Sequence, residues 1–97
     1  MNIVITLSAT EDIADGHLFY EEKETGLGYY FETSIFSDIR SLHVYAGVHE
    51  VWFGKYFRKI CSTFPYAIFY TVEASEVRIH AILDLRRDPL WISDRLN

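Results

Sequence analysis

The sequence has few of the residues and segments that mark several common classes of small protein. Its 97 residues include one cysteine, Cys61, so no internal disulfide can form and the chain is not a disulfide-stapled domain. No apolar run approaches the roughly 20 residues of a membrane-spanning helix. The first residues lack the basic region and small-residue cleavage site of a signal peptide. We therefore expect one soluble domain over residues 1–97, without membrane contact and located in the cytoplasm.

Basic residues are also scarce. Nine lysines and arginines stand against 14 aspartates and glutamates, which gives a formal net charge of −5. Proteins whose main task is to bind nucleic acid favour basic surfaces, so this balance argues against that class. Apolar residues, in contrast, make up 49% of the chain and include seven phenylalanines and seven tyrosines. A chain of this length and composition can bury a small hydrophobic core.

Motifs that carry enzyme chemistry are missing as well. The sequence contains no glycine-rich phosphate loop and no Ser–His–Asp arrangement. His17, His43 and His49 are scattered without the spacing of a metal site, and a lone cysteine in a strand is typical of a buried apolar residue. The sequence therefore favours a protein without catalytic residues, and it predicts no metal and no cofactor.

The segment from Phe64 to Pro89 is predicted to form a β-hairpin. Tyr66–Val72 is aromatic and β-branched without a helical period, and a polar turn follows it. Val77–Leu85 alternates in a way that predicts a strand with one face in the core, and Pro89 ends the segment because it donates no ladder hydrogen bond. The predicted core-facing set is Val77, Ile79, Ala81, Leu83 and Leu85, and the opposite set is Arg78, His80, Ile82 and Asp84.

The other elements are predicted from shorter patterns. They are a strand over Asn2–Ser8, a helix from an N-cap at Ser8 or Thr10 to about Lys23, a helix over Tyr29–Ala46 with a buried stripe at Phe31, Ile35, Ile39, Leu42 and Ala46, a strand over Lys55–Ser62, and a helical turn after Pro89. The order β-α-α-β-β-β predicts an α+β domain of two layers. A helical hairpin would cover one face of a mainly antiparallel four-stranded sheet, with the first strand at its edge and the other face open.

Three stretches resemble the RelE/ParE superfamily of type II toxin–antitoxin systems. They are SATEDI at the start of the first helix with GLG before the second, FRKICSTFPYAIFY, and EVRIHAILDLRRDPLW at the end of the chain. The resemblance implies a small toxin that a cognate antitoxin neutralises. In this superfamily the RelE branch cuts mRNA on the ribosome, whereas the ParE branch poisons DNA gyrase without cutting nucleic acid itself.

The resemblance also favours one branch over the other. RelE-like ribonucleases carry an arginine in the strand that matches Tyr66–Tyr70, and the corresponding position here is Ala67. Alanine can neither move a proton nor stabilise the charge that develops on a phosphate. The stretch after the last strand contains Arg86 and Arg87 but no evident acid or base. The sequence therefore favours a ParE-like toxin with gyrase as its target.

Two partner surfaces are expected on this hypothesis. The open sheet face, together with the helical hairpin, would bind the antitoxin, and basic and C-terminal residues would contact the target. The predicted antitoxin-binding residues are Ala67, Phe69, Arg78 and His80. The predicted target-binding residues are Arg58, Arg86, Arg87 and Trp91. An exposed apolar face also suggests a homo-oligomer for the free protein.

Two alternatives remain at this stage. A ribosome-dependent mRNA endoribonuclease would need its cations gathered on one concave face; the candidates are Lys55, Arg58, Lys59, Arg86 and Arg87. A non-toxic relative would retain the fold and act only as an interaction module, and both Ala67 and the acidic net charge are compatible with it.

Overall fold

The computed structural model describes all residues from 1 to 97. Its elements are β1 (Asn2–Ile5), α1 (Leu7–Lys23), α2 (Leu27–Tyr45), β2 (Glu50–Trp52), β3 (Tyr56–Ile60), β4 (Tyr66–Glu73), β5 (Glu76–Asp84) and α3 (Pro89–Leu96). The strands form one sheet in the order β1-β5-β4-β3-β2. β1 pairs with β5 in parallel, and the other pairs are antiparallel. The predicted α+β class is confirmed, with β1 at the sheet edge as expected.

The sheet has five strands rather than the predicted four. The additional strand, β2, lies between the predicted helix over Tyr29–Ala46 and the predicted strand over Lys55–Ser62, and its residues pair with Tyr56–Arg58 of β3. With three residues, β2 is too short to show an alternating pattern. The sequence pattern therefore does not predict it.

The first helix begins earlier than predicted, with its N-cap at Thr6 instead of Ser8 or Thr10. Thr6 is the N-cap: its side chain accepts a hydrogen bond from the backbone N–H of Ala9, and its hydroxyl donates to the carbonyl of Ile79 at 2.8 Å. This second bond ties the start of α1 to β5. As a result β1 ends at Ile5 instead of Ser8.

Two features bring the helices of the hairpin close together. The Glu21 carboxylate accepts hydrogen bonds from the backbone N–H groups of Gly26 and Gly28, and these bonds lower the pKa of Glu21. Gly16 of α1 allows close approach of the helices, because a Cβ there would lie 2.5 Å from ring atoms of Phe31 in α2. The turn between α1 and α2 is therefore held by the Glu21 carboxylate, and the two helices pack closely at Gly16.

The regular alternation predicted for β5 is wrong beyond Ile79. Phe69 pairs with Ala81 and Tyr70 pairs with Ile79, so His80 is an extra residue in a β-bulge. The bulge reverses the phase of the strand. Val77, Ile79 and Ile82 consequently face the helical hairpin, whereas Ala81 and Leu83 face the other side.

Both faces of the sheet carry a core. The helical hairpin and one sheet face share 15 buried apolar residues, including the predicted stripe at Phe31, Ile35, Ile39 and Leu42. The opposite face carries a second cluster of seven residues: Tyr56, Ala67, Phe69, Ala81, Leu83, Ile92 and Leu96. The expectation of an open second face is therefore wrong, because α3 packs across it.

Candidate functional site

The C-terminal helix α3 forms one wall of the candidate site. The Asp88 side chain caps it by accepting from the N–H of Leu90 at 2.8 Å, and Pro89 occupies the first turn, where no N–H is needed. Ile92 and Leu96 lie four residues apart and point into the smaller core. The Tyr56 hydroxyl donates to the carbonyl of Leu96 at 2.6 Å, which fastens the end of the helix to β3.

A buried carboxylate that was not among the predicted site residues also holds α3 to the rest of the domain. Asp12 of α1 is 7% exposed and accepts from the N–H of Ile82 at 3.0 Å and from both terminal nitrogens of Arg95 at 2.8 and 2.9 Å. The bond to Asp12 is the main reason why the pKa of Arg95 is raised. In the predicted helix Asp12 falls near the N-terminus, where an acidic residue indicates only a helix-dipole interaction, so no sequence pattern pointed to this three-element junction.

A groove lies between α3 and the turn that joins β2 to β3, and we call it the α3 groove. Its volume is about 400 Å³. Its lining is mainly apolar, and several members retain exposed surface; Phe53 is 51% and Leu90 74% exposed. The lining residues are Trp52, Phe53, Leu85, Pro89, Leu90, Ile92 and Ser93, with Arg58 and Arg87 as the charged members.

Phe53 has an unusual backbone conformation. Its φ is 56°, and the following Gly54 has a φ of 65°. Glycine adopts this region freely, but for a bulky side chain such a conformation costs on the order of 1–3 kcal/mol and is characteristic of functional sites. Here the strained turn presents an aromatic ring beside the groove, where half of its surface is exposed to solvent.

Each arginine of the α3 groove stacks on a tryptophan. The Arg58 guanidinium lies 4.1 Å from the ring centre of Trp52 and donates to Glu50 at 3.0 Å, while its Nε is buried without a partner. The Arg87 guanidinium lies 3.9 Å from the ring centre of Trp91 and forms no ion pair. Stacking occupies the flat face of a guanidinium and leaves its edge N–H groups able to donate.

The structure brings three of the four predicted target-binding residues together. Arg58 and Arg87 line the same groove, and Trp91 stacks on the guanidinium of Arg87. Arg86 is the exception, because it bonds to Asp84 at 2.7 Å and to the Tyr20 hydroxyl at 3.4 Å, toward the helical hairpin. The bond to Asp84 raises the pKa of Arg86. Burial alone would raise the pKa of Asp84, but the bonds from Arg86 outweigh it and the pKa is lowered.

The predicted antitoxin-binding residues differ in accessibility. Ala67 and Phe69 have no exposed surface, because α3 covers them, so a partner would contact them only after α3 had moved. Arg78 is exposed and pairs with Glu76 at 2.7 Å. His80 sits on the bulge, half-buried, 2.7 Å from the Thr71 hydroxyl. Burial lowers the pKa of His80, with a smaller effect of the neighbouring cations. The binding role of these residues stays a prediction.

The cations required by a ribonuclease are divided between the two faces of the sheet. Arg58 lines the α3 groove, whereas Phe57 stacks on Tyr70 of the larger core and Lys59 follows on the same side of β3. Arg86 is also turned toward the helical hairpin. No group of three His, Cys, Asp or Glu side chains is arranged to bind a metal ion. The lining of the α3 groove contains no His, Asp or Glu side chain.

Comparisons with known proteins bear on the fold. No family model matches the sequence, and no curated protein matches it. Among solved structures, the chain is similar to one described as a chromosomal ParDE TA system from P. aeruginosa, with a TM-score of 0.82 and 14% identity over 89% of this chain and 97% of that chain. The chain therefore has a RelE/ParE-like fold, as the sequence resemblance predicted. None of its helices combines the length and apolar character needed to cross a membrane.

Proposed function

We propose that this protein is the toxin of a type II toxin–antitoxin system, that it acts in the cytoplasm by binding and poisoning DNA gyrase, and that a cognate antitoxin neutralises it. The observation that carries the proposal is the RelE/ParE-like fold, which matches a structure described as a ParDE TA system over most of both chains. The acidic net charge of −5 is compatible with a protein target and unfavourable for direct binding to nucleic acid.

The division of the cations favours poisoning over RNA cleavage. A ribonuclease of this size must place a base, an acid and several cations around one phosphate. Here Arg58 and Lys59 lie on opposite faces of β3, and the position that carries arginine in RelE-like enzymes is Ala67, which is fully buried. Codon-positioned mRNA cleavage during translation would be the result that restores the ribonuclease hypothesis.

The antitoxin is expected on the helical hairpin. Several large apolar side chains of its two helices are exposed to solvent, and exposed apolar surface is where protein partners bind. They are Leu18, Phe19, Tyr29, Tyr30 and Phe36. Substitution of Tyr29 by aspartate should weaken a complex with the cognate antitoxin and leave poisoning of gyrase intact. Because this apolar surface is exposed, we also still expect the free protein to self-associate.

The proposal is tested by a supercoiling assay with purified gyrase, ATP and this protein, scored for inhibition and for trapped cleaved DNA. Trapped cleavage complexes are expected. Substitution of Arg87 by glutamate should reduce trapping at least tenfold, because Arg87 is the unpaired cation of the α3 groove. The matched control is Arg40→Glu, which makes the same charge change at an exposed position of α2. No effect of the folded wild-type protein on gyrase would remove gyrase as the target.

A further inference from the structure

We infer that the α3 groove receives a segment of the target protein in which a bulky apolar side chain is flanked by carboxylates. The inference rests on the proposed function in one respect, namely that a target protein docks at this surface. It goes further by stating the chemistry that the groove recognises.

The shape and lining of the groove fit an apolar side chain. Its volume of about 400 Å³ lies within the range of about 300–1,000 Å³ typical of ligand pockets. The side chains of Trp52, Phe53 and Leu90 line it, and the last two expose half or more of their surface. Aromatic and aliphatic walls of this kind gain free energy when an apolar side chain displaces water from them.

The charge of the groove differs from that of the rest of the chain. Its two charged lining residues are Arg58 and Arg87, and no carboxylate lines it, although the chain as a whole carries a net charge of −5. A second cleft on the other side of α3, about 280 Å³ in volume, has a mixed lining that includes three aspartates, together with Arg87 and Arg95. An acidic segment is therefore attracted to the α3 groove in preference to the cleft.

The two guanidinium groups are prepared to bind carboxylates. Both are held against indole rings, so the cost of ordering them has been met within the fold. The edge of Arg87 remains available for paired hydrogen bonds, whereas one terminal nitrogen of Arg58 already donates to Glu50. Arg87 has no carboxylate partner in the chain. Arg58 forms an ion pair with Glu50, and its buried Nε has no acceptor. An incoming carboxylate would satisfy Arg87 directly and compete with the exposed Glu50 for Arg58.

A nucleic acid is a poorer fit for the same groove. Binding to a phosphate backbone needs a series of cations along a track, and the groove offers two. The rest of its lining is mainly apolar and would be left against phosphates and sugars. We therefore treat nucleic acid as a competing outcome of the test.

The test is selection of a displayed library of random peptides on the full-length chain, followed by measurement of binding by the enriched synthetic peptides. Enrichment of Phe, Leu or Trp next to Asp or Glu is expected. Arg87→Glu and Leu90→Asp, both at exposed positions, should each weaken binding at least tenfold, Arg87→Lys should weaken it less, and Arg40→Glu should leave it unchanged. Circular dichroism would establish that each variant is folded.

Three results would overturn the inference. These are enrichment of neutral or basic peptides or of none, equal binding of the enriched peptides to folded Arg87→Glu protein, and displacement of the peptides by a single-stranded oligonucleotide. The test does not use gyrase, so the two proposals fail separately. Peptide binding without trapped cleavage complexes would retain the groove and remove gyrase, whereas trapping that Leu90→Asp and Arg87→Glu leave unchanged would retain gyrase and remove the groove.

Discussion

The two faces of the sheet are built in different ways. On the face that carries the helical hairpin, 15 buried residues form one cluster, and the rings of Tyr20, Phe31, Phe64 and Tyr66 contact one another. On the other face, five buried sheet residues lie beneath a single helix of eight residues, which adds Ile92 and Leu96 to the cluster. The first face therefore supplies most of the stability. The second is covered by α3 alone, which we call the thin cover, and the α3 groove lies beside this helix.

The thin cover depends on a few specific contacts. A helix of eight residues is too short to be stable by itself, so α3 forms because its side chains are anchored to the rest of the chain. The anchors are the packing of Ile92 and Leu96, the bond from the Tyr56 hydroxyl to Leu96, and the Arg95–Asp12 pair. Each anchor can be removed by one substitution, which makes the comparison of the two faces testable.

The largest effect is expected from Phe31→Ala. Phe31 is fully buried and contacts three other aromatic rings, so its truncation leaves a cavity in the larger core and should cost about 3–5 kcal/mol of unfolding free energy. Ile92→Ala under α3 should cost about 2 kcal/mol, since the thin cover can settle into the space. Urea denaturation followed by circular dichroism measures both. Equal losses would contradict the difference drawn between the faces.

Asp12→Ala should have an intermediate effect that is concentrated on α3. The substitution leaves the N–H of Ile82 and the guanidinium of Arg95 without their acceptor, which should cost about 2–3 kcal/mol. Asp12→Asn retains one acceptor and should cost less. Hydrogen exchange is expected to accelerate at the amides of α3 before those of α2. Uniform acceleration across both helices would mean that Asp12 supports the whole domain and is not specific to the cover.

The sequence predicted the larger face better than the smaller one for physical reasons. The stripe from Phe31 to Leu42 is a local pattern with helical period, and its buried positions are confirmed. The bulge at His80 depends on pairing between β4 and β5, so alternation along β5 alone gave the wrong phase for Ile82. The convergence of Arg58 and Arg87 depends on where α3 docks, and no spacing in the chain encodes that position directly.

The smallest effect expected is a loss of stability at mildly acidic pH, to which the two faces contribute through different histidines. Burial lowers the pKa of both His49 and His80, with nearby cations acting in the same direction. The unfolded chain, in which histidine has a pKa of about 6.5, therefore binds protons that the folded chain does not. Stability should be constant above that value and should fall as the pH drops from about 6.5 toward the lower pKa values of the folded state.

His49 should contribute more to this loss than His80 because the hydrogen bonds of the two rings differ. The Tyr70 hydroxyl accepts from the N–H of Gly47, so it is free to donate to Nδ1 of a neutral His49, and a protonated ring no longer accepts that bond. The Thr71 hydroxyl can accept from His80 as well as donate to it, so this bond survives protonation. Urea denaturation between pH 7.5 and about 5 should therefore show a flatter stability profile for His49→Gln than for His80→Gln. The reverse order would mean that the bulge on the α3 face, and not the larger core, is the acid-sensitive part of the fold.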